Sequence, residues 1–88
     1  MPVEVNPLLS FEWNEDLQTL EIHADAQGLT QLASTLSRLA QRPKSDHDHL
    51  MTPDWGGHEL STEMVGHTNK KIHHVKIFSW KDRESSCA

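Results

Sequence analysis

Residues 9–43 read LSFEWNEDLQTLEIHADAQGLTQLASTLSRLAQRP, and this stretch decides the fold. From residue 9 to residue 13, and again from 19 to 24, apolar and polar residues alternate. Alternation with a period of two is typical of a β-strand with one buried face. Because a short polar turn at residues 14–16 separates the two runs, they predict a β-hairpin.

An amphipathic helix is predicted after the hairpin. Its apolar residues recur at intervals of three and four, which is the spacing of one face of an α-helix. They are Leu29, Leu32, Ala33, Leu36, Leu39 and Ala40. Asp25 is a suitable N-cap, and Pro43 predicts that the helix ends near Arg42. Gly28 in the first turn weakens the start of the helix.

The rest of the chain predicts further strands. Residues 46–50 begin a third strand, residues 59–64 are compatible with a short one, and residues 66–69 are turn-like. In residues 72–80, Val75 and Ile77 share one face of a last strand. These elements predict a small α+β domain, in which one amphipathic helix packs on one face of a mostly antiparallel sheet of three to five strands.

The 88 residues are enough for one small domain and too few for a second core. We expect residues 1–7 to be an extended lead-in and residues 81–88 a poorly ordered tail. The lone Cys87 excludes an internal disulfide, which fits a reducing compartment. The sequence has neither a membrane-spanning run nor the pattern of a signal peptide, so the cytoplasm is the expected location.

Charge is distributed unevenly along the chain. The formal net charge is −5, and residues 1–37 contain six acids but no lysine or arginine. Because phosphate binding relies on clustered cations, nucleic acid is not expected as a direct partner. The acids suit a basic protein partner, since long-range attraction would speed their encounter. Solubility alone is the simpler explanation of the same acids.

A second stretch, residues 46–60, reads DHDHLMTPDWGGHEL and suggests a metal site. On a strand, His47 and His49 point the same way, and His58 is a candidate to approach them. Neutral imidazoles with a carboxylate suit zinc or a similar ion. However, no recognised ligand spacing is present, and two strand histidines do not complete a four-ligand site. We therefore expect no cofactor, and any metal would be held by these three histidines.

Acid–base catalysis is a further hypothesis for this stretch, because a histidine beside a carboxylate titrates near working pH. A nucleophile is missing, since Cys87 lies near the end of the chain and no serine has an elbow-like setting. A domain this small also has little room for an enclosed pocket. We therefore expect no enzyme, and a small metal-binding or acid–base enzyme built on residues 46–60 is the alternative hypothesis.

Two non-catalytic roles remain for residues 46–60. As scaffold, Leu50 and Met51 would fill the core, and Trp55 would close its open end. Gly56 and Gly57 would then adopt positive φ. As an interface, Trp55 would anchor a partner, because tryptophan is frequent among residues that dominate binding energy. Four acids would complement a basic surface around it: Asp46, Asp48, Asp54 and Glu59. The burial of Trp55 distinguishes the two roles.

The string His-x-His-Leu-Met-Thr-Pro-x-Trp-Gly-Gly at residues 47–57 resembles the signature of immunity protein 32, a bacterial family found in polymorphic toxin loci. The helix opening at residues 25–36 and the strand at residues 73–77 are similar to that family too. The resemblance covers roughly residues 9–80. The positions that match its motif are His47, His49, Thr52, Trp55, Gly56, Gly57 and Glu59.

The resemblance implies an α+β protein, made in the cytoplasm, that neutralises a cognate toxin by binding it. Our hypothesis from the sequence is therefore a non-catalytic immunity protein that occludes its toxin, with Trp55 as the anchor. The acids would face a basic toxin such as a nuclease. We expect a monomer or weak dimer, because the last strand is a candidate pairing edge that its lysines oppose. No direct contact with nucleic acid or membrane is expected.

Overall fold

The computed structural model describes residues 7–81. In chain order they form strands β1 (Leu9–Asn14) and β2 (Thr19–Ala24), helix α1 (Ala26–Ala40), strand β3 (Asp46–Met51), a 3-10 turn (Pro53–Trp55), and strands β4 (Lys70–Lys71) and β5 (His74–Ser79). The predicted α+β class, the hairpin and the helix after it are confirmed. The predicted lead-in and tail, including Cys87, lie outside the described residues except for Pro7 and Lys81.

The five strands of residues 7–81 form two antiparallel sheets, where the sequence predicted one. The first has the order β2–β1–β4, and the second consists of β3 and β5. Residues 70–79 connect the sheets, because β4 pairs with β1 and β5 pairs with β3. At the junction the Thr52 amide donates to the His73 carbonyl at 3.0 Å. The continuous strand predicted over residues 72–80 is therefore interrupted before His74.

The hydrophobic core lies between the two sheets. Leu9 and Phe11 from β1 meet Leu50 from β3 and Leu60 from the loop after it, and all four are buried. Partly buried side chains complete the core: Ala24, Leu32, Ile72, Val75 and Ile77. Burial of a large apolar side chain stabilises a fold by roughly 1.5–3 kcal/mol. The contacts between the two sheets therefore make a large contribution to the stability of this small domain.

Helix α1 begins as predicted but is rotated relative to its predicted apolar stripe. The Asp25 carboxylate caps it by accepting from the Gly28 amide at 2.7 Å. Gly28 is buried, and a Cβ there would lie 1.9 Å from the Leu8 carbonyl oxygen. This close approach fixes the rotation of the helix, which buries Leu39. Two leucines of the predicted stripe are therefore exposed: Leu29 and Leu36.

The short strand predicted over residues 59–64 is wrong, because no strand forms between the 3-10 turn and β4. Single backbone hydrogen bonds, instead of a strand ladder, hold this segment to the sheets. The Leu60 amide donates to the Met51 carbonyl at 3.2 Å, and the Ser61 amide donates to the Leu9 carbonyl at 2.8 Å. Since these two acceptors belong to different sheets, the segment bridges the sheets instead of extending either one. The turn predicted at residues 66–69 is confirmed.

Candidate functional site

The β3–β5 sheet has one face in the core and one face open to solvent. Its register pairs Leu50 with Val75, and both side chains pack in the core. Because side chains alternate along a strand, positions 47, 49 and 51 of β3 and positions 74, 76 and 78 of β5 lie on the outer face. This outer face therefore carries three histidines, a methionine, a lysine and a phenylalanine.

Rings on and beside this outer face form a continuous series of contacts, which we call the ring row. Its members in order are Trp80, Phe78, His47, His49, His74, Trp55 and His73. Centroids of neighbouring rings are between 4.8 and 6.0 Å apart. Most pairs are stacked, and His47 meets His49 edge-on. These separations are those of favourable aromatic pairs.

The three large aromatic side chains of the ring row are open to solvent. The exposed fraction is 58% for Trp55, 63% for Trp80 and 48% for Phe78. Of the two residues predicted to fill the core, Leu50 is buried there. Met51 is partly buried on the outer face of β3, so the prediction for Met51 is wrong. The scaffold interpretation required Trp55 to close the core, and it does not. Its indole is presented on the surface instead.

The turn that carries Trp55 is fixed to the sheet at Thr52. Thr52 is buried, and its hydroxyl lies 2.8 Å from His73 Nδ1. The Trp55 amide donates to the Thr52 carbonyl at 2.9 Å. The indole then stacks on the His73 ring with 10° between the planes. The motif residue Thr52 thus holds both the turn and the ring beneath the tryptophan.

The two motif glycines serve different purposes. Gly56 ends the turn at φ 89°, a left-handed conformation that favours glycine. The positive φ predicted for Gly57 is wrong. Gly57 instead allows close packing, because a Cβ there would lie 2.6 Å from the Met51 Cβ. Beside it, the Glu59 carboxylate accepts from the Met51 amide at 3.1 Å. Burial raises the pKa of Glu59, but hydrogen bonds from backbone amides outweigh it, and the pKa lies below its usual value.

The structure separates the four acids that were predicted to surround Trp55. Asp46 and Asp48 lie on the opposite face of β3 from the ring row, and the Arg42 guanidinium contacts their carboxylates at 3.1 and 3.3 Å. The third acid, Glu59, accepts a hydrogen bond from the Met51 amide. Asp54, which precedes Trp55 in the turn, is exposed. Of the predicted acids, Asp54 is therefore the one adjacent to the tryptophan.

The three histidines considered as metal ligands do not form a cluster. Within residues 7–81, one group of three potential ligands has its ligand atoms within 4.8 Å of one another, and it consists of Glu12, Glu21 and His23. His47 and His49 are neighbours in the ring row, but His58 does not join them. His49 Nδ1 instead lies 2.8 Å from His74 Nε2. One of these nitrogens donates and the other accepts, so the hydrogen bond uses one ring nitrogen of each histidine.

Glu12 is an ionisable residue that the sequence did not single out. It is 0% exposed, and its carboxylate accepts four hydrogen bonds of 2.7–2.9 Å. The donors are the Ser10 hydroxyl, the Val65 and Gly66 amides and the Asn69 side-chain amide. Burial raises the pKa of Glu12, but these bonds outweigh it and lower the pKa from 4.5 to about 2. Glu12 therefore remains charged inside the fold.

The cluster around Glu12 joins a loop to the first sheet. His23 Nε2 lies 2.8 Å from a Glu21 oxygen and 3.8 Å from a Glu12 oxygen. Both oxygens of Glu12 already accept two hydrogen bonds each, mainly from residues 65–69. A carboxylate occupied in this way offers little to a ligand. We therefore assign the cluster a role in folding, and the ring row is the candidate functional site.

Comparison with known protein families agrees with the motif at residues 47–57. A family model described as Immunity protein 32 matches residues 19–75, which places the protein in the class of immunity proteins. Because the match spans more than half of the 88 residues, the chain belongs to the immunity protein 32 family. The resemblance seen in the sequence is confirmed over a shorter range than expected, and Phe78 and Trp80 lie outside it.

Two further comparisons, with curated proteins and with solved structures, gave no match. Across residues 7–81, α1 and the short 3-10 turn include no segment long and apolar enough to span a membrane.

Proposed function

We propose that this chain binds a cognate bacterial toxin in the cytoplasm and neutralises it by covering its surface, without catalysing a reaction. The observation that carries the proposal is the exposed Trp55 in a member of an immunity protein family. Tryptophan residues dominate many protein interfaces because they bury a large area when a partner binds. Trp55 is therefore the anchor of the proposed complex.

The local structure supports this role for Trp55. Its turn is closed by backbone hydrogen bonds and by the buried Thr52, and its ring already rests on His73. A side chain that is ordered before binding loses less conformational entropy when a partner covers it. The turn therefore presents a rigid apolar surface, which is what a tight inhibitor requires.

The charge of the chain supports a basic toxin. The formal net charge is −5, and Asp54 is exposed next to the anchor. A toxin that acts on nucleic acid needs a surface that attracts phosphate, and an acidic inhibitor would be steered toward such a surface. Raising the salt concentration from low to physiological should then slow association. An association rate that does not depend on salt would remove the electrostatic part of the proposal.

Co-expression tests the proposal in cells. The product of the adjacent gene is tested as the toxin and is expressed with either the wild-type chain, Trp55→Ala or Leu29→Ala. Leu29 is the matched control, because its exposed fraction is 54% against 58% for Trp55. We expect the wild type and the Leu29 variant to protect the cells. Trp55→Ala should weaken toxin binding by about 30-fold or more and reduce protection. Cells that die equally with and without the wild-type chain would contradict the proposal.

A further inference from the structure

We propose that the toxin contacts the whole ring row, from Trp55 to Trp80, and that the row receives lysine and arginine side chains of a basic partner. This inference rests on the proposed function and adds to it the contact surface and the chemistry of the partner. It also assigns a role to Phe78 and Trp80, which lie beyond the segment that matches the family.

The ring row is continuous. Each ring touches the next, so the exposed indoles of Trp55 and Trp80 are the two ends of one surface. Contiguous exposed aromatic surface of this kind is uncommon on a protein without a partner. A toxin that covers Trp55 and extends along β3 and β5 would therefore reach Phe78 as well.

The rings of this surface are suited to binding cations. The face of an aromatic ring carries partial negative charge and attracts ammonium and guanidinium groups. The chain already shows one such contact, because the Lys76 ammonium lies 5.6 Å from the centroid of the Phe78 ring. Neutral imidazoles add nitrogen acceptors for the N–H groups of arginine. The ring row therefore offers several adjacent positions to cationic side chains.

The charges around the ring row decide between a basic protein and a single-stranded nucleic acid as its partner. Bases also stack on exposed rings, but binding of the phosphate backbone needs a positively charged groove. The outer positions of β3 and β5 carry one lysine, Lys76, and the chain has a net charge of −5. Asp54 adds a negative charge at the Trp55 end. These charges favour a basic protein surface.

Binding measurements with the purified toxin test the extent of the surface. They are made at pH 8, where histidine side chains are generally neutral. The double variant Phe78→Ala/Trp80→Ala is compared with Leu17→Ala/Leu29→Ala, whose side chains are exposed but lie outside the ring row. We expect the first pair to weaken binding by about 10–30-fold and the control pair by less than about twofold.

The outcomes separate this inference from the proposed function. If the wild-type chain does not bind the toxin, the proposed function fails and the inference with it. If Trp55→Ala weakens binding but Phe78→Ala/Trp80→Ala behaves like the control pair, the inference fails alone. Circular dichroism spectra of each variant confirm that an observed loss of binding is not a loss of fold.

A peptide probe tests the cation chemistry directly. Ring-proton NMR signals of Trp55, Phe78 and Trp80 are followed while hexa-arginine, hexa-glutamate or a hexameric single-stranded RNA is added. Trp13 is the internal control, because its indole donates to Glu15 and lies outside the ring row. We expect hexa-arginine to shift the row signals more than Trp13, and the other two probes to shift them little. Equal shifts at Trp13, or larger shifts with RNA, would overturn the inference.

Discussion

The two sheets of this protein use their histidines and carboxylates in opposite ways. In the β2–β1–β4 sheet, Glu12 is buried and fully hydrogen-bonded, and His23 lies within the same cluster. In the β3–β5 sheet, histidines lie between exposed aromatic rings on a solvent-facing surface. The difference indicates that polar chemistry in the first sheet stabilises the fold, whereas the rings of the second remain available to a partner. We therefore expect substitutions in the buried cluster of the first sheet to change stability, and substitutions in the ring row to change toxin binding.

Among the polar residues, the largest effect on stability is expected at Glu12. Glu12→Gln places an amide NH2 group against donors that now face a carboxylate oxygen, so at least two hydrogen bonds are lost inside the fold. We expect the free energy of unfolding to fall by about 3 kcal/mol, measured by urea denaturation. Asp16→Asn, on the exposed turn of the same hairpin, is the control and should change it by less than about 0.5 kcal/mol.

Acid should remove the same stabilisation from the wild type. The pKa of Glu12 is about 2 in the folded chain and 4.5 in the reference state, so the unfolded chain binds more protons between these values. The contribution of Glu12 is therefore complete above pH 4.5 and is lost as the pH falls toward 2. We expect the stability difference between wild type and Glu12→Gln to shrink over this range in urea denaturation series. A difference that stays constant from pH 6 to pH 3 would refute this role of Glu12.

Thr52 is predicted to have an intermediate effect, because it links the core to the ring row. Thr52→Val keeps the shape of the side chain but removes the hydroxyl that contacts His73 Nδ1. We expect a loss of roughly 1 kcal/mol in unfolding free energy and a weaker complex with the toxin, because the support of Trp55 is loosened. Thr30→Val, on the exposed surface of α1, is the matched control. Unchanged toxin binding by Thr52→Val would show that the orientation of Trp55 does not depend on this contact.

The smallest effect on stability is expected in the ring row itself. Phe78→Ala removes a side chain that is 48% exposed, so we expect the thermal midpoint to change by no more than a few degrees. Leu60→Ala, which truncates a core residue, is the comparison and should destabilise by about 2–5 kcal/mol. A loss for Phe78→Ala as large as that for Leu60→Ala would show that the ring row is part of the core.

Local sequence patterns predicted the elements of the fold but not their packing. The hairpin and the shared face of His47 and His49 follow from a period of two residues. The helix follows from a period of 3.6 residues, and its start follows from Asp25, whose side chain can cap it. All of these signals lie in neighbouring residues. The rotation of α1 depends on contact between Gly28 and the Leu8 carbonyl. The burial of Glu12 depends on a loop amide 53 residues away. Such contacts leave no periodic signal in a single sequence.

The candidate site was predictable to a similar extent. The motif at residues 47–57 and the importance of Trp55 were visible in the sequence, whereas the extension of the surface to Phe78 and Trp80 was not. That extension requires the pairing of β3 with β5, which sets His47 opposite Phe78. The acidic rim predicted around Trp55 was wrong for a local reason, because alternation along β3 places Asp46 and Asp48 on the face opposite His47 and His49. Arg42 contacts both carboxylates on that face.

Hydrogen exchange of the complex with the toxin tests most directly which of the two sheets meets the partner. Amide exchange is measured by mass spectrometry on the free chain and on the chain saturated with toxin. If the toxin covers the ring row, peptides from residues 46–57 and 73–80 will exchange more slowly in the complex, and peptides from residues 9–24 will be nearly unchanged. Slower exchange confined to residues 9–24 would contradict the account, because the partner would then bind the sheet that we assign to folding.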